Sequence, residues 1–436
     1  MAKLGRVSGP PPTGRTVALA LLRSVLDRRL PLEEALEQAA DYAALPPRDR
    51  AFARALTATV LRRLGQIDAV VAACLDKPLT PKARAGENVL RLGVAQLLFL
   101  GTPGHAAVGE TVGLAQGRLR PYAGLANAVL RRVAREGAER LQSQDGARLN
   151  TPPWLWQSWA AAYGEAVAQA IAGAHQEEAA LDLTVKDGPE RWAEALGAEL
   201  LPTGSLRYRG DTAVTDLPGY ADGAWWVQDA AAALPVKLLG TLHERQVADL
   251  CAAPGGKTAQ LAAAGARVTA VDRSAGRMAR LSANLRRLGL AAETIVADAQ
   301  TWRPAKPVDD VLLDAPCSGT GTIRRHPDLA RLKTAADVER LTGVQDQLLD
   351  AAREILRPGG QLVYCVCSLQ PEEGPRRIEA VLTRHPDLQR RPISPSEVGG
   401  AGEFITPEGD LRTLPSLWPT RGGLDGFFAA RLVRGG

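Results

Sequence analysis

The sequence predicts a multidomain protein in which an all-α bundle is followed by a small α+β segment and then by an α/β domain. Its 436 residues exceed what a single hydrophobic core usually supports. Apolar residues recur at helical spacing through the first third, with no strand pattern between them. From about residue 246, short apolar runs alternate with helical stretches, as in a parallel sheet flanked by helices. We expect domains at residues 1–140, 150–235 and 236–436.

The overall composition is that of an ordered globular protein. Hydrophobic residues make up 45% of the chain and charged residues 23%, a balance that excludes intrinsic disorder. No apolar run reaches the length of a membrane span, and the first residues lack the apolar stretch of a secretory signal. We therefore expect a cytoplasmic protein without a membrane partner, beginning with a flexible leader at residues 8–13.

The first domain is predicted from its helical periodicity and its charge. Residues 1–137 contain 20 Lys and Arg against 11 Asp and Glu, whereas the rest of the chain contains 33 against 37. A basic excess confined to one region favours a polyanionic partner such as RNA, although a solvated basic face is the open alternative. The candidate phosphate-binding residues are Arg62, Arg63, Arg118, Arg120, Arg131 and Arg132.

The middle of the chain carries weaker signals. Residues 138–150 are polar and predict a linker, after which Trp154, Trp156 and Trp159 indicate core or interface anchors rather than a platform for stacking bases. We predict strands at 181–185 and 213–215 with a helix at 191–196 between them, which together form a small α+β segment.

The last domain shows five apolar runs of strand length separated by helical patterns. The predicted strands are 247–250, 267–271, 294–296, 311–313 and 362–366. The predicted helices are 258–264, 275–288 and 338–356. Residues 427–433 are expected to add an edge strand.

The first three strand ends predict a nucleoside pocket. A tight turn follows the first strand as Cys251, Ala252, Ala253, Pro254, Gly255, Gly256 and Lys257. Its glycines allow close approach to a ligand, but the patterns of dinucleotide and phosphate-binding loops are absent. Asp272 ends the second strand, where it can accept from ribose hydroxyls, and Asp298 follows the third, where it can accept from an adenine amino group. S-adenosyl-L-methionine fits better than NAD or ATP. The alternative is that both aspartates only cap helices.

Two further strand ends carry cysteines. Pro316 forces the chain out of the sheet directly after Asp314, and Cys317 follows. Cys365 and Cys367 stand at the end of the next strand, on one face of it because side chains alternate. We expect both strand ends to face one active site. A thiolate, an acid and a second thiol suit methylation of cytosine C5, which requires a nucleophile that adds to C6.

The five cysteines, which also include Cys74, indicate reduced thiols rather than a disulfide framework. A four-cysteine zinc site is the alternative, but the paired spacing of such sites is absent. We therefore predict no metal site.

Several motifs carry a resemblance to known families. Residues 249–258, 314–319, 323–328 and 367–373 resemble the signatures of RNA 5-methylcytosine methyltransferases. Residues 48–53 and 124–131 resemble the NusB-like RNA-binding domain, and residues 150–230 resemble the connecting subdomain of these enzymes. The whole chain is similar to the bacterial type that methylates 16S ribosomal RNA. The resemblance implies a Rossmann-like catalytic domain that uses S-adenosyl-L-methionine.

The resemblance also implies residue roles. Cys367 corresponds to the thiolate that adds to C6, Cys317 to the cysteine that assists product release, and Asp314 to the acid that contacts the cytosine beside the cofactor. Cys317 as nucleophile is the alternative, since DNA cytosine methyltransferases use a Pro-Cys motif. Val366 departs from the usual Thr, and Cys365 is an extra thiol, either a spectator or an oxidation liability.

The expected function is methylation of an unpaired or loop cytosine in 16S ribosomal RNA by a monomer, because the base must leave its stack to be attacked. Two alternatives remain at this point. One is the same chemistry on tRNA, and the other is a non-catalytic RNA-binding or ribosome assembly factor. Arg324, Arg325 and His326 are expected to contact RNA or to belong to a loop.

Overall fold

The computed structural model describes residues 11–80 and 86–435 in two compact units. The first unit comprises residues up to Trp156 together with His326–Leu332, and the second comprises Gln157–Arg325 and the rest of the chain from Lys333. Of the expected leader at 8–13, residues 8–10 lie outside the described residues. In the described part of the chain, no helix is long and apolar enough to cross a membrane.

The first unit is helical, as predicted. Its helices are α1 Gly14–Leu26, α2 Leu32–Gln38, α3 Ala40–Ala44, α4 Pro47–Arg62, α5 Leu64–Cys74, α6 Glu87–Leu98, α7 Gly104–Gly113, α8 Ala123–Gln142 and α9 Gly146–Asn150. Helix α1 begins at Thr13, whose side chain accepts from the backbone N–H of Thr16 in a capping box. Its apolar stripe, which includes Val17 and Leu21, is buried in the core of the unit.

The expected linker at 138–150 was wrong. Helix α8 continues to Gln142, and α9 begins only a few residues later at Gly146. Asp145 caps α9 by accepting from the N–H of Arg148 at 3.0 Å. These polar residues are a helix surface and a cap, which composition alone does not distinguish from a linker.

A short segment from the distant part of the sequence completes the helical unit. It contains α16, Leu329–Leu332. Asp328, which is buried, accepts from the backbone N–H of Leu32 at 3.0 Å. Arg331 donates to the carbonyl of Asn150 at 2.8 Å. The first unit is therefore built from two separate stretches of the chain.

The second unit opens with helices and a small antiparallel sheet. The elements are α10 Pro153–Tyr163, α11 Glu165–Ala174, β1 Leu181–Val185, α12 Pro189–Leu196, β2 Glu199–Leu200, β3 Leu206–Tyr208 and β4 Trp225–Val227, with strand order β2-β3-β1-β4. The strand expected at 213–215 is wrong, because Val214–Asp216 forms a 3-10 turn. Trp159 is a core anchor as predicted: it is buried, and its Nε1 donates to Gln370 at 3.0 Å.

A larger sheet dominates the second unit. Its strands are β5 Gln246–Leu250, β6 Arg267–Asp272, β7 Glu293–Val296, β8 Val308–Asp314, β9 Leu356–Val366, β10 Leu388–Arg390, β11 Leu411–Thr413 and β12 Phe427–Arg434. Its helices are α13 Leu234–Lys237, α14 Gly256–Ala263, α15 Ala275–Leu288, α17 Ala335–Ile355 and α18 Pro375–Arg384. The order is β10-β12-β9-β8-β5-β6-β7, with β11 paired to β12. Strands β5 to β9 run parallel, as in a Rossmann-like domain.

The strand expected at residues 427–433 is present as β12, but its predicted position at the edge of the sheet is wrong. It lies antiparallel between β9 and β10 inside the sheet. Arg431 in this strand is buried and is satisfied by Glu397 and by the carbonyl of Leu238, at 2.5 and 2.8 Å. The strand therefore covers the cysteine-bearing strand β9 on the side away from β8.

Candidate active site

The carboxyl ends of neighbouring parallel strands bring the predicted residues together. Strands β5, β8 and β9 are adjacent, with Leu250 paired to Leu313 and Asp314 paired to Cys365. The loop after β8 also bonds to β9, since the N–H of Ala315 donates to the carbonyl of Cys365 at 3.0 Å. Open parallel sheets bind ligands at this edge.

The two candidate catalytic cysteines touch. The Sγ atoms of Cys317 and Cys367 are 3.5 Å apart, and both side chains are half-buried. The hydrogen bond between the thiols, together with burial, raises the pKa of Cys317 well above its usual value. Either thiol can donate to the other at this distance, and the raised pKa favours the protonated form of Cys317.

Asp314 ends β8 and is held from two sides. The Nζ of Lys257 donates to its Oδ2 at 2.8 Å, and the Sγ of Cys365 lies 3.6 Å from its Oδ1. Burial alone would lower the pKa of Lys257, but the Asp314 carboxylate outweighs this effect and raises it. The ammonium group therefore stays charged. Its Nζ also lies 4.9 Å from the centre of the Phe427 ring.

Cys365 is closed off from solvent. It is fully buried, and burial raises its pKa well above the usual value. It packs against the same hydrophobic cluster as Cys367, so the two side chains share a face as alternation predicted. A buried protonated thiol is a poor nucleophile, which favours a spectator role for Cys365.

The glycine turn after β5 is shaped by unusual backbone angles. Cys251 and Gly255 have φ values of 60° and 104°. A Cβ at Gly255 would lie 2.6 Å from Leu281, so no other residue fits there without displacement. Burial raises the pKa of Cys251 to about 12, so this thiol is inert. Helix α14 starts directly after the turn and places Lys257 in its first turn.

Asp272 holds the same turn and still has acceptor positions available for a ligand. Its carboxylate accepts from the N–H of Ala253 at 3.2 Å and from that of Ser274 at 2.9 Å. A carboxylate has about four acceptor positions, so these bonds leave two. The alternative in which Asp272 only caps a helix is wrong, because Ser274 is the N-cap of α15. The remaining acceptor positions of Asp272 are compatible with a role in binding hydroxyl groups.

Asp298 lies beyond the end of β7 with an exposed apolar residue beside it. Its Oδ1 accepts from the N–H of Gln300 at 3.0 Å. Val296, two residues earlier, is 56% exposed. The site thus offers acceptors for hydroxyl and amino groups, an apolar surface and a glycine turn. Together these features fit S-adenosyl-L-methionine.

Known proteins resemble the chain over nearly all of its length. The family described as 16S rRNA methyltransferase RsmB/F matches residues 236–433, and the NusB family matches residues 12–135. Ribosomal RNA small subunit methyltransferase B of Erwinia tasmaniensis is 35% identical and covers 96% of this chain and 98% of its own. The protein of that name from Vibrio cholerae is 36% identical, covering 96% and 97%.

The chain belongs to the ribosomal RNA small subunit methyltransferase B family. The crystal structure of PH0851 has the same fold, with a TM-score of 0.75 and 23% identity over 99% of this chain and 100% of that one. The resemblance read from the catalytic motifs and from the NusB-like front end is confirmed.

In this family member, Arg324 and Arg325 lie in a loop, as one of the two expectations stated. The other expectation, contact with RNA, is wrong because both side chains bind carboxylates within the chain. Arg324 is only 2% exposed; it donates to Asp425 at 2.7 Å and to Asp229 at 2.8 Å. Arg325 binds the same two carboxylates. Burial alone would raise the pKa of Asp229, but the two arginines lower it. The network is charge-balanced and comprises Asp182, Asp229, Asp425, Arg207, Arg324 and Arg325.

His326 belongs to the helical unit rather than to the catalytic one. Within residues 11–80 and 86–435, no group of three or more His, Cys, Asp or Glu is arranged to hold a metal ion.

Proposed function

We propose that this protein methylates C5 of a cytosine in 16S ribosomal RNA with S-adenosyl-L-methionine, through a covalent bond between Cys367 and C6 of the base. The observation that carries the proposal is the 3.5 Å contact between Cys317 and Cys367 beside Asp314. Membership of the small subunit methyltransferase B family supports ribosomal RNA as the substrate class.

Cys367 acts as the nucleophile. Its thiolate forms a bond to C6, and the electron pair of the C5–C6 double bond moves to C5, which becomes nucleophilic. Bound S-adenosyl-L-methionine supplies an electrophilic methyl group on its sulfonium. After C5 has taken the methyl group, it gives up its proton to water, and the electrons left at C5 restore the double bond and expel the Cys367 thiolate.

Cys317 assists the release step. Its raised pKa keeps the proton on its sulfur, 3.5 Å from Cys367. A donor at that distance can stabilise the departing thiolate of Cys367 by a hydrogen bond. A protonated thiol is a poor nucleophile, so the raised pKa of Cys317 weakens the alternative in which the Pro-Cys cysteine attacks.

Asp314 orients the target base. We assign it the contact with the polar edge of the cytosine, because it ends β8 three residues before Cys317 and pairs with Cys365, two residues before Cys367. Lys257 and Cys365 hold its two oxygens, so the carboxyl group is fixed before substrate arrives. Lys257 also keeps a positive charge at the site where the base becomes electron-rich.

The cofactor is assigned to the turn Cys251–Lys257 and the aspartates at the following strand ends. Asp272 would accept from the ribose hydroxyls and Asp298 from the adenine amino group. Asp314 closes the pocket on the side of the base. The helical unit is assigned to the RNA, with the exposed Arg118, Arg120 and Arg131 as phosphate contacts.

The proposal is tested by incubating the purified protein with methyl-labelled S-adenosyl-L-methionine and, separately, protein-free 16S RNA, assembling small subunits and tRNA. We expect label in 16S RNA, as 5-methylcytosine at an unpaired position. Label confined to tRNA would show that tRNA, rather than 16S RNA, is the substrate. Binding of RNA and cofactor without transfer to any of the three would support a non-catalytic assembly factor instead.

A further inference from the structure

Glu373 connects the loops that carry the two thiols, and it was not among the predicted site residues. It is fully buried. Its Oε1 accepts from the backbone N–H of Ser318 at 2.8 Å, and its Oε2 accepts from the hydroxyls of Ser318 and Ser368, each at 2.5 Å. Ser318 directly follows Cys317, and Ser368 directly follows Cys367. One carboxylate therefore holds the residue next to each thiol.

The surroundings of Glu373 fix it in turn. Gln345 on α17 donates to its Oε1 at 3.2 Å and to the carbonyl of Pro316 at 2.9 Å. The hydroxyl of Tyr364 on β9 donates to the backbone carbonyl of Glu373 at 2.6 Å. A side chain held from α17, β9 and both loops has little freedom to move.

The donors on Glu373 are neutral hydroxyl, amide and backbone groups. An ionised carboxylate only accepts hydrogen bonds, so it suits a position at which these donors converge. The neighbouring Glu372 differs in burial and in the charge of its partner. It is partly exposed and pairs with Arg376, four residues later, at 2.9 Å. The two adjacent glutamates therefore form a matched pair, one inside the site and one on the surface.

We propose that Glu373 is a positioning residue that sets the spacing of Cys317 and Cys367 and thereby permits adduct formation and release at one base. The inference rests on the proposed two-cysteine reaction. It adds that the thiol contact is maintained by a carboxylate that touches neither sulfur, through the serine that follows each cysteine.

The spacing is measured independently of methylation with phenylarsine oxide, which binds two neighbouring thiols and releases one water. The parent is the full chain with Cys74, Cys251 and Cys365 replaced by Ala. The arsenic binding that is lost when Cys317→Ser is added to this parent is the part that requires both thiols. Methyl transfer is measured in the otherwise unaltered chain, and melting temperature and cofactor binding report folding.

We expect Glu373→Ala to weaken arsenic binding by about tenfold or more and to slow methyl transfer by about 100-fold, with unchanged cofactor affinity. Glu373→Gln restores much of both, because its carbonyl oxygen accepts from Ser318 and Gln345 while its NH₂ can donate to the hydroxyls. Glu372→Ala behaves like the parent. If Glu373→Ala fails to fold, Ser318→Ala/Ser368→Ala replaces it and is expected to weaken arsenic binding, because the carboxylate loses both hydroxyl donors.

Arsenic binding equal to the parent in Glu373→Ala, or in the double serine variant where that replaces it, would overturn the inference. So would reduced arsenic binding with undiminished methyl transfer. Absence of methyl transfer by the unaltered protein would reject the proposed function instead, and arsenic binding would still decide whether Glu373 sets the spacing.

Discussion

Cys317 has a raised pKa, and its sulfur atom lies 3.5 Å from that of Cys367. The Cys317 thiol is hydrogen-bonded to Cys367 and buried, and both effects favour its protonated form. Cys365 is also buried, and burial raises its pKa as well. Within the described residues, the surroundings of Cys317 and Cys365 therefore favour the protonated form of both thiols.

The raised pKa of Cys317 predicts how alkylation of this thiol by iodoacetamide depends on pH. A raised pKa means that the reactive thiolate of Cys317 forms only at high pH, so its alkylation rate should still rise above about pH 9. Replacing Cys367 with Ala removes the first cause of the shift, and the rise should move to lower pH. Mass spectrometry of the peptide containing Cys317 measures both. A Cys317 rate that levels off below pH 9, unchanged in Cys367→Ala, would contradict the assignment.

Single residues divide clearly into those the sequence could predict and those it could not. Asp314 and Cys317 follow an apolar strand with Pro between them, a local pattern that only makes sense at a strand end. Arg324 and Glu373 are charged residues in loop sequence, and their burial depends on partners about a hundred and about fifty residues away. Long-range partners leave no periodic signal in the chain.

At the scale of elements, the carboxyl ends of the parallel strands were predicted to within one residue, whereas β9 begins at Leu356, six residues before the predicted start. The position of β12 in the sheet was not predicted, since pairing order is a non-local property. Its Arg431 gives the strand a surface-like composition, yet the residue is buried against Glu397 and backbone carbonyls. The 3-10 turn at Val214–Asp216 was misassigned because so short a segment has no measurable period.

The buried network around Arg324 should be essential for stability of the second unit. Arg324→Ala leaves Asp229 and Asp425 in the interior with one partner fewer, which typically costs about 3–5 kcal/mol. Urea denaturation measures this loss in the free energy of unfolding. The control is Arg303→Ala, an exposed arginine paired with Glu354, expected to change stability by less than about 1 kcal/mol. Equal, small losses in both variants would show that the network contributes little.

At the scale of the whole molecule, charge and chemistry are separated along the chain. The basic excess lies in residues 1–137, whereas the cysteines at the strand ends all lie beyond residue 250. The segment His326–Leu332, which follows the Arg324–Arg325 pair directly, belongs to the helical unit. Removing the helical residues would therefore expose Asp328 and its neighbours, so point substitutions are the better test of RNA binding.

Replacing Arg118, Arg120 and Arg131 together with Ala should weaken binding of 16S RNA and lower its dependence on salt, because fewer counterions are released. Each lost phosphate contact is expected to reduce the salt slope by about one. Affinity for S-adenosyl-L-methionine should not change. The control replaces three exposed arginines of the second unit, Arg191, Arg267 and Arg303. If both triple variants bind RNA equally, the helical unit has no special role in holding it.

The two-cysteine reaction is tested most directly by looking for a protein–RNA adduct that survives denaturation. Full-length wild type, Cys317→Ala and Cys367→Ala are each incubated with 16S RNA and S-adenosyl-L-methionine. We expect adduct to accumulate in Cys317→Ala, because release is impaired, and we expect Cys367→Ala to form no adduct and to transfer no methyl group. Adduct in Cys367→Ala, with none in Cys317→Ala, would contradict the assignment of Cys367 and make Cys317 the nucleophile.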